Sequence, residues 1–173
     1  MDAAIVVLLA VVLISVAYTD VRSSRIPNIL TFTAMGMGSI THACLTGSQG
    51  LLFSLEGLGV GLGIFLLLYA SGGVGAGDVK LMGAVGSIVG PYGALISGLM
   101  AFLIGGVYAL GAMCYQWGIA ATGRKLVSAT QGAILSGGHS FSHELRLPFH
   151  LRYGLAIVGG TLLFTFGLHP FGG

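Results

Sequence analysis

From Leu81 to Gly123 the chain carries no Asp, Glu, Lys or Arg. A helix that crosses a bilayer needs about 20 apolar residues, with a range of roughly 17–25. The uncharged run is too long for one such helix and fits two. Gly90-Pro91 is the natural break, because proline opens a helix where its missing N–H does no harm. The rest of the chain has the same character. Of 173 residues, 7% are charged and 55% hydrophobic, whereas soluble domains carry roughly 25% charged residues. A soluble domain of this size could not hide so much apolar surface. The composition therefore predicts an all-α integral membrane protein. Its 31 glycines suit close helix–helix approach in lipid. A net charge of +2 is too small to point to nucleic acid.

The remaining charges and turn residues divide the chain into six expected spans over residues 3–18, 28–45, 51–70, two within 81–123, and 153–168. The fourth is short unless it begins near Val74. Pro27, Pro91 and Pro148 fall before or at proposed helix starts, and Pro170 follows the last. Residues 46–50 (TGSQG) and 71–77 (SGGVGAG) read as turns. One long polar connection runs from Thr122 to about Leu147. The first span lacks a basic leader region and a small-x-small cleavage site, so it reads as a retained span rather than a signal peptide. The whole of 1–173 is expected to form a single membrane-embedded domain.

Basic residues set the orientation. Arg22 and Arg25 follow span one, Lys80 opens span four, and Arg124, Lys125, Arg146 and Arg152 lie between spans five and six. With six alternating spans, all seven Lys/Arg fall on one side, which the positive-inside rule places in the cytoplasm. Asp20 follows one crossing and Asp78 follows three. Two crossings return the chain to its starting face, so both carboxylates are expected at the cytoplasmic boundary. Ionisable groups near a lipid-embedded span are costly and are usually retained for a function.

Two carboxylates close enough to share a proton can hydrolyse an amide. One stays ionised and takes a proton from water, while the other stays protonated and hydrogen-bonds the carbonyl oxygen under attack. Which aspartate holds which role is not set by sequence, because such a pair titrates as a unit. Gly75, Ala76, Gly77 and Asp78 make a G-x-G-D motif whose glycines allow a strand of substrate to approach closely. Each aspartate also has a plain structural reading. Asp78 could be a helix cap, and Asp20 could simply end a span in interfacial water. Arg22 and Arg25 read as topology determinants. Lys80, two residues beyond Asp78, would not face that carboxylate on a helix and by default snorkels to the interface.

Taken jointly, the two segments are more specific. Residues 20–28 read DVRSSRIPN and residues 75–82 read GAGDVKLM. Together they resemble the type IV prepilin peptidase family of membrane aspartic proteases, which includes the archaeal preflagellin peptidases. Asp20, Arg22, Ile26, Pro27 and Asn28 match the family's first motif, and Gly75, Gly77, Asp78, Lys80 and Leu81 match its G-x-G-D-x-K-L motif. Residues 147–156 loosely resemble the start of its last helix. The resemblance implies a six-helix bundle of the GxGD aspartyl protease type, with Asp20 and Asp78 as the catalytic pair. Arg22, Pro27, Asn28, Gly75, Gly77 and Lys80 would support it. It also implies a substrate with a short basic leader, cut at a Gly before a hydrophobic helix, at the cytoplasmic face. Larger members carry paired CxxC motifs linked to N-methylation. Here only Cys44 and Cys114 occur, without that spacing, so the expectation is the peptidase-only form of tight-adherence (Flp) pilus systems. The location it implies is a bacterial inner membrane rather than an archaeal one. The rival readings are a small ion- or proton-translocating protein and a non-catalytic assembly subunit. A translocation path favours an acid at mid-span, and none is evident.

Neither a cofactor nor a metal is expected. His139 and His143 have i, i+4 spacing but follow Gly137-Gly138 and lack a clear third ligand. Cys44 and Cys114 read as packing residues towards opposite faces. Glu56 reads as an interfacial carboxylate. Tyr18, Tyr69, Tyr115 and Trp117 suit an aromatic belt. Gly57, Gly59, Gly61 and Gly63 suit tight helix contact.

Overall fold

A computed structural model describes residues 2–23, 26–70, 74–118, 121–122, 124 and 153–167. Every regular element among these residues is helical: α1 (Ala3–Ser23), α2 (Asn28–Ala70), α3 (Ala76–Trp117) and α4 (Tyr153–Thr165). The first three are long and apolar enough to cross a membrane. The polar connection beyond Thr122 lies almost wholly outside the described residues. So do His139, His143, His150, Arg25, Lys125, Arg146 and Arg152.

The two longest helices fold back on themselves. In α2, Thr46 and Gly47 leave helical geometry, and Gly47 has φ of +66°. The hydroxyls of Ser39 and Ser54 then lie 3.0 Å apart. Fifteen residues of straight helix would separate them by about 22 Å, so residues 28–45 and 48–70 run antiparallel. In α3 the break is Gly90, with φ of +78° ahead of Pro91. A Cβ on Gly86 would stand 3.3 Å from that of Ala94, although eight residues of straight helix span about 12 Å. Positive φ is a conformation that glycine adopts without the Cβ penalty. A side chain at Gly90 would also strike the Phe53 ring.

The arms interlock through small residues. A Cβ on Gly57 would collide with the Gly86 carbonyl, and one on Gly61 with the Met82 carbonyl. The second arm of α2 thus lies backbone to backbone on the first arm of α3, as small residues allow in membrane bundles. Gly59 and Gly63, on the other face, have no neighbour within 4 Å. Only half of the glycine stripe does the packing. The core joins Leu9 and Val16 of α1, Phe65 of α2, Leu81, Met82, Val85 and Ile88 of α3, and Ile157 of α4. The outer surface is apolar too: Val7, Ile14, Ile29, Ile40, Leu67 and Val107 are all exposed. A surface this apolar is solvated by lipid rather than water, and the molecule is a membrane protein.

The chain reversals at Gly47 and Gly90 lie at one end of the bundle. The C-terminal end of α1 and the N-terminal ends of α2, α3 and α4 meet at the other.

Candidate active site

Asp20 stands three residues before the end of α1, which runs beyond Tyr18 to Ser23. The expected boundary at residue 18 is therefore too early, and the aspartate belongs to the helix rather than to the loop after it. Its side chain is buried, with 4% of its surface exposed. Its Oδ2 accepts a hydrogen bond from the backbone N–H of Leu155, 3.2 Å away in the first turn of α4.

Asp78 arrives from α3. That helix begins at Ala76, five residues before the uncharged run, because Asp78 secures its first turn. The Gly75 N–H donates to Asp78 Oδ2 at 3.0 Å, and the Gly75 carbonyl accepts from the N–H groups of Asp78 and Val79. An acid in the first turn also complements the helix dipole. Asp78 is half-buried and Gly75 is exposed. Asp20 is carried by α1 against the first turn of α4, and Asp78 sits in the first turn of α3, whose Gly77 packs on the same Ile26 that touches Gly154 of α4. Three helices thus converge on one acidic locus.

Ile26 holds these parts together. It lies 3.6 Å from where a Gly77 Cβ would stand and 3.4 Å from where a Gly154 Cβ would stand. Pro27 follows it and opens α2, its carbonyl accepting from the N–H groups of Leu30 and Thr31. Asn28 then accepts a hydrogen bond at its Oδ1 from Lys80 Nζ, 3.0 Å away, and the same ammonium sits 5.5 Å from the centroid of the Phe32 ring. Lys80 thus ties the start of α3 to the start of α2. Arg22 stays apart. It donates to the Tyr18 hydroxyl at 2.7 Å, one turn back on the exposed face of α1.

Tyr153, Gly154 and Leu155 are residues that the sequence reading marked as a span start within the segment loosely resembling the family's last helix, without assigning them to the site. Tyr153 packs edge-on against Phe65, with ring centroids 6.3 Å apart, and closely against Gly105. The signal available in sequence was a Tyr-Gly pair opening the last apolar segment. Among the described residues no three His, Cys, Asp or Glu side chains converge as a metal site would require. Cys44 and Cys114 are free thiols.

The fold defines a helical membrane protein with two acids, Asp20 and Asp78, at one end of its bundle. The sequence profile of the type IV leader peptidase family matches residues 7–110, a span that includes both aspartates and Lys80. The chain belongs to that family. No curated protein and no solved structure matches it.

Proposed function

We propose that this protein is an aspartic endopeptidase that cleaves the basic leader from type IV prepilins or Flp-like prepilins, using Asp20 and Asp78 as its catalytic pair. The observation that carries the reading is that Ile26 packs both on Gly77, beside Asp78, and on Gly154, against which the Asp20 carboxylate lies, within a chain of the leader peptidase family.

In the proposed reaction, a water molecule held between the carboxyl groups attacks the scissile carbonyl carbon. The ionised carboxylate takes the water proton, and the protonated partner donates a hydrogen bond to the oxygen that gains charge. The C–N bond then breaks, and the proton passes to the departing amine. Water is consumed, and one acid and one amine are released. Two carboxyl groups that share one water favour sharing one proton over both ionising.

We read the folded-back arms of α2 and α3, with α1 and the 13-residue α4, as six crossings, and the membrane as a bacterial inner membrane on the family resemblance. Arg22, Lys80 and Arg124 would then share the cytoplasmic face with the acids. The half-exposed G-A-G-D turn would admit water and an extended substrate strand there, in the manner of GxGD-type proteases. A prepilin fits by its chemistry, since its basic leader stays in the cytoplasm while its hydrophobic helix lies in the bilayer beside the site.

The test is cleavage of a synthetic prepilin by purified protein in nanodiscs, with terminal sequencing of the product. Asp20→Asn and Asp78→Asn should each lower the rate by about 10³-fold or more, while Asp2→Asn leaves it unchanged. Full cleavage by either active-site variant would reject the assignment.

A further inference from the structure

The first turn of α4 brings a backbone donor to Asp20, and one residue makes the approach possible. Leu155 N–H is among the first amides of a helix, which have no partner within it. It donates to Asp20 Oδ2 at 3.2 Å. Gly154, the residue before it, is buried against the same carboxylate. A Cβ there would stand 2.9 Å from Asp20 Oδ2 and 3.1 Å from Asp20 Cγ. Both atoms belong to a short side chain on a packed helix, and Ile26 closes the remaining side at 3.4 Å. The carboxylate therefore has little room to yield to a methyl group.

We propose that Gly154 is a positioning residue for the carboxylate pair: lacking a side chain, it lets Asp20 seat on the Leu155 N–H and so fixes the orientation in which Asp20 meets Asp78. The inference rests on reading Asp20 and Asp78 as the reacting pair. A hydrogen bond from a rigid helix end selects one orientation of a carboxylate, and preorganisation of this kind matters to rate more than to binding. A substrate gripped elsewhere along the bundle would bind as before.

Gly154→Ala should lower kcat by about tenfold to a hundredfold, with KM close to that of the unaltered enzyme and a melting temperature lowered in detergent, as overpacking requires. Gly59→Ala, at a glycine with open space around it, serves as the control and should keep full kcat. A folded Gly154→Ala enzyme with unchanged kcat overturns the proposal, as does one in which only KM rises. Cleavage by Asp20→Asn or Asp78→Asn would instead defeat the underlying assignment of the pair, whatever Gly154→Ala does. Where Gly154→Ala fails to fold, the 15N-labelled unaltered protein decides. The Leu155 amide proton should move downfield as Asp20 ionises, and that response should vanish in Asp20→Asn. An amide indifferent to Asp20→Asn removes the contact on which the proposal stands.

Discussion

Lys80 shows how a residue's use depends on what its helix meets. From the sequence it reads as a lysine pointing away from Asp78 and reaching for the interface. That direction carries it to Asn28 Oδ1 at 3.0 Å and over the Phe32 ring. Each of the two motifs that carry the family resemblance thus supplies one end of a hydrogen bond. A charged donor strengthens such a bond, while partial exposure weakens it. A double-mutant cycle with Lys80→Met and Asn28→Ala should give a coupling energy of about 1 kcal/mol in detergent unfolding. Additive losses would show that the contact contributes nothing. The two aspartates were legible because acids are rare in this chain, so each one stands out. Gly154 and Leu155 were not. Glycine and leucine are abundant here, and the group that Leu155 contributes is a backbone N–H, which no side chain announces. Arg22 was legible as basic and adjacent, yet α1 turns it outward to Tyr18.

At the scale of elements, the breaks at Gly47 and Gly90 create carbonyls that the helix no longer satisfies. Two side chains of α2 serve those before Gly90. Ser54 Oγ donates to the Ser87 carbonyl at 2.8 Å, and His42 Nε2 lies 2.9 Å from the Ile88 carbonyl. A carbonyl only accepts, so that nitrogen carries the proton. His42 also packs on Phe53, with centroids 5.2 Å apart. This histidine held no motif and was passed over in sequence; its role exists only because the two hairpins interlock. The glycine stripe on α2 gives the prediction for this scale. Gly57→Ala drives a methyl group into the Gly86 carbonyl, and such overpacking costs roughly 1–3 kcal/mol. Gly59→Ala meets nothing within 4 Å. A lower melting temperature in nanodiscs is expected for the first variant alone, and equal loss in both would contradict the seam. Period alone separates the two glycines. Residues 57 and 61 share a helix face, but which face meets α3 follows from the fold-back at residue 47.

For the whole molecule the consequence is topology. If α2 and α3 each cross the bilayer twice, the turn near Gln49 and the segment at Arg124 lie on opposite sides. Both residues are exposed. In a background with Cys44→Ser and Cys114→Ser, a membrane-impermeant maleimide added to intact cells should label Gln49→Cys. Arg124→Cys should react only after the membrane is opened. Labelling of both in intact cells would contradict six crossings. The sequence by itself determined that the chain is helical and lies in lipid and made its two acids stand out, because scarcity of charge is a one-dimensional property that lipid enforces on every residue. It located the reversal at Gly90-Pro91 as well, since backbone geometry there depends on neighbours in the chain. The tertiary structure alone decided which glycines touch, where Lys80 reaches, and that α4 delivers its free N–H to Asp20. Those contacts join segments from 21 to 135 residues apart, and their energies depend on distances that arise only when the helices pack.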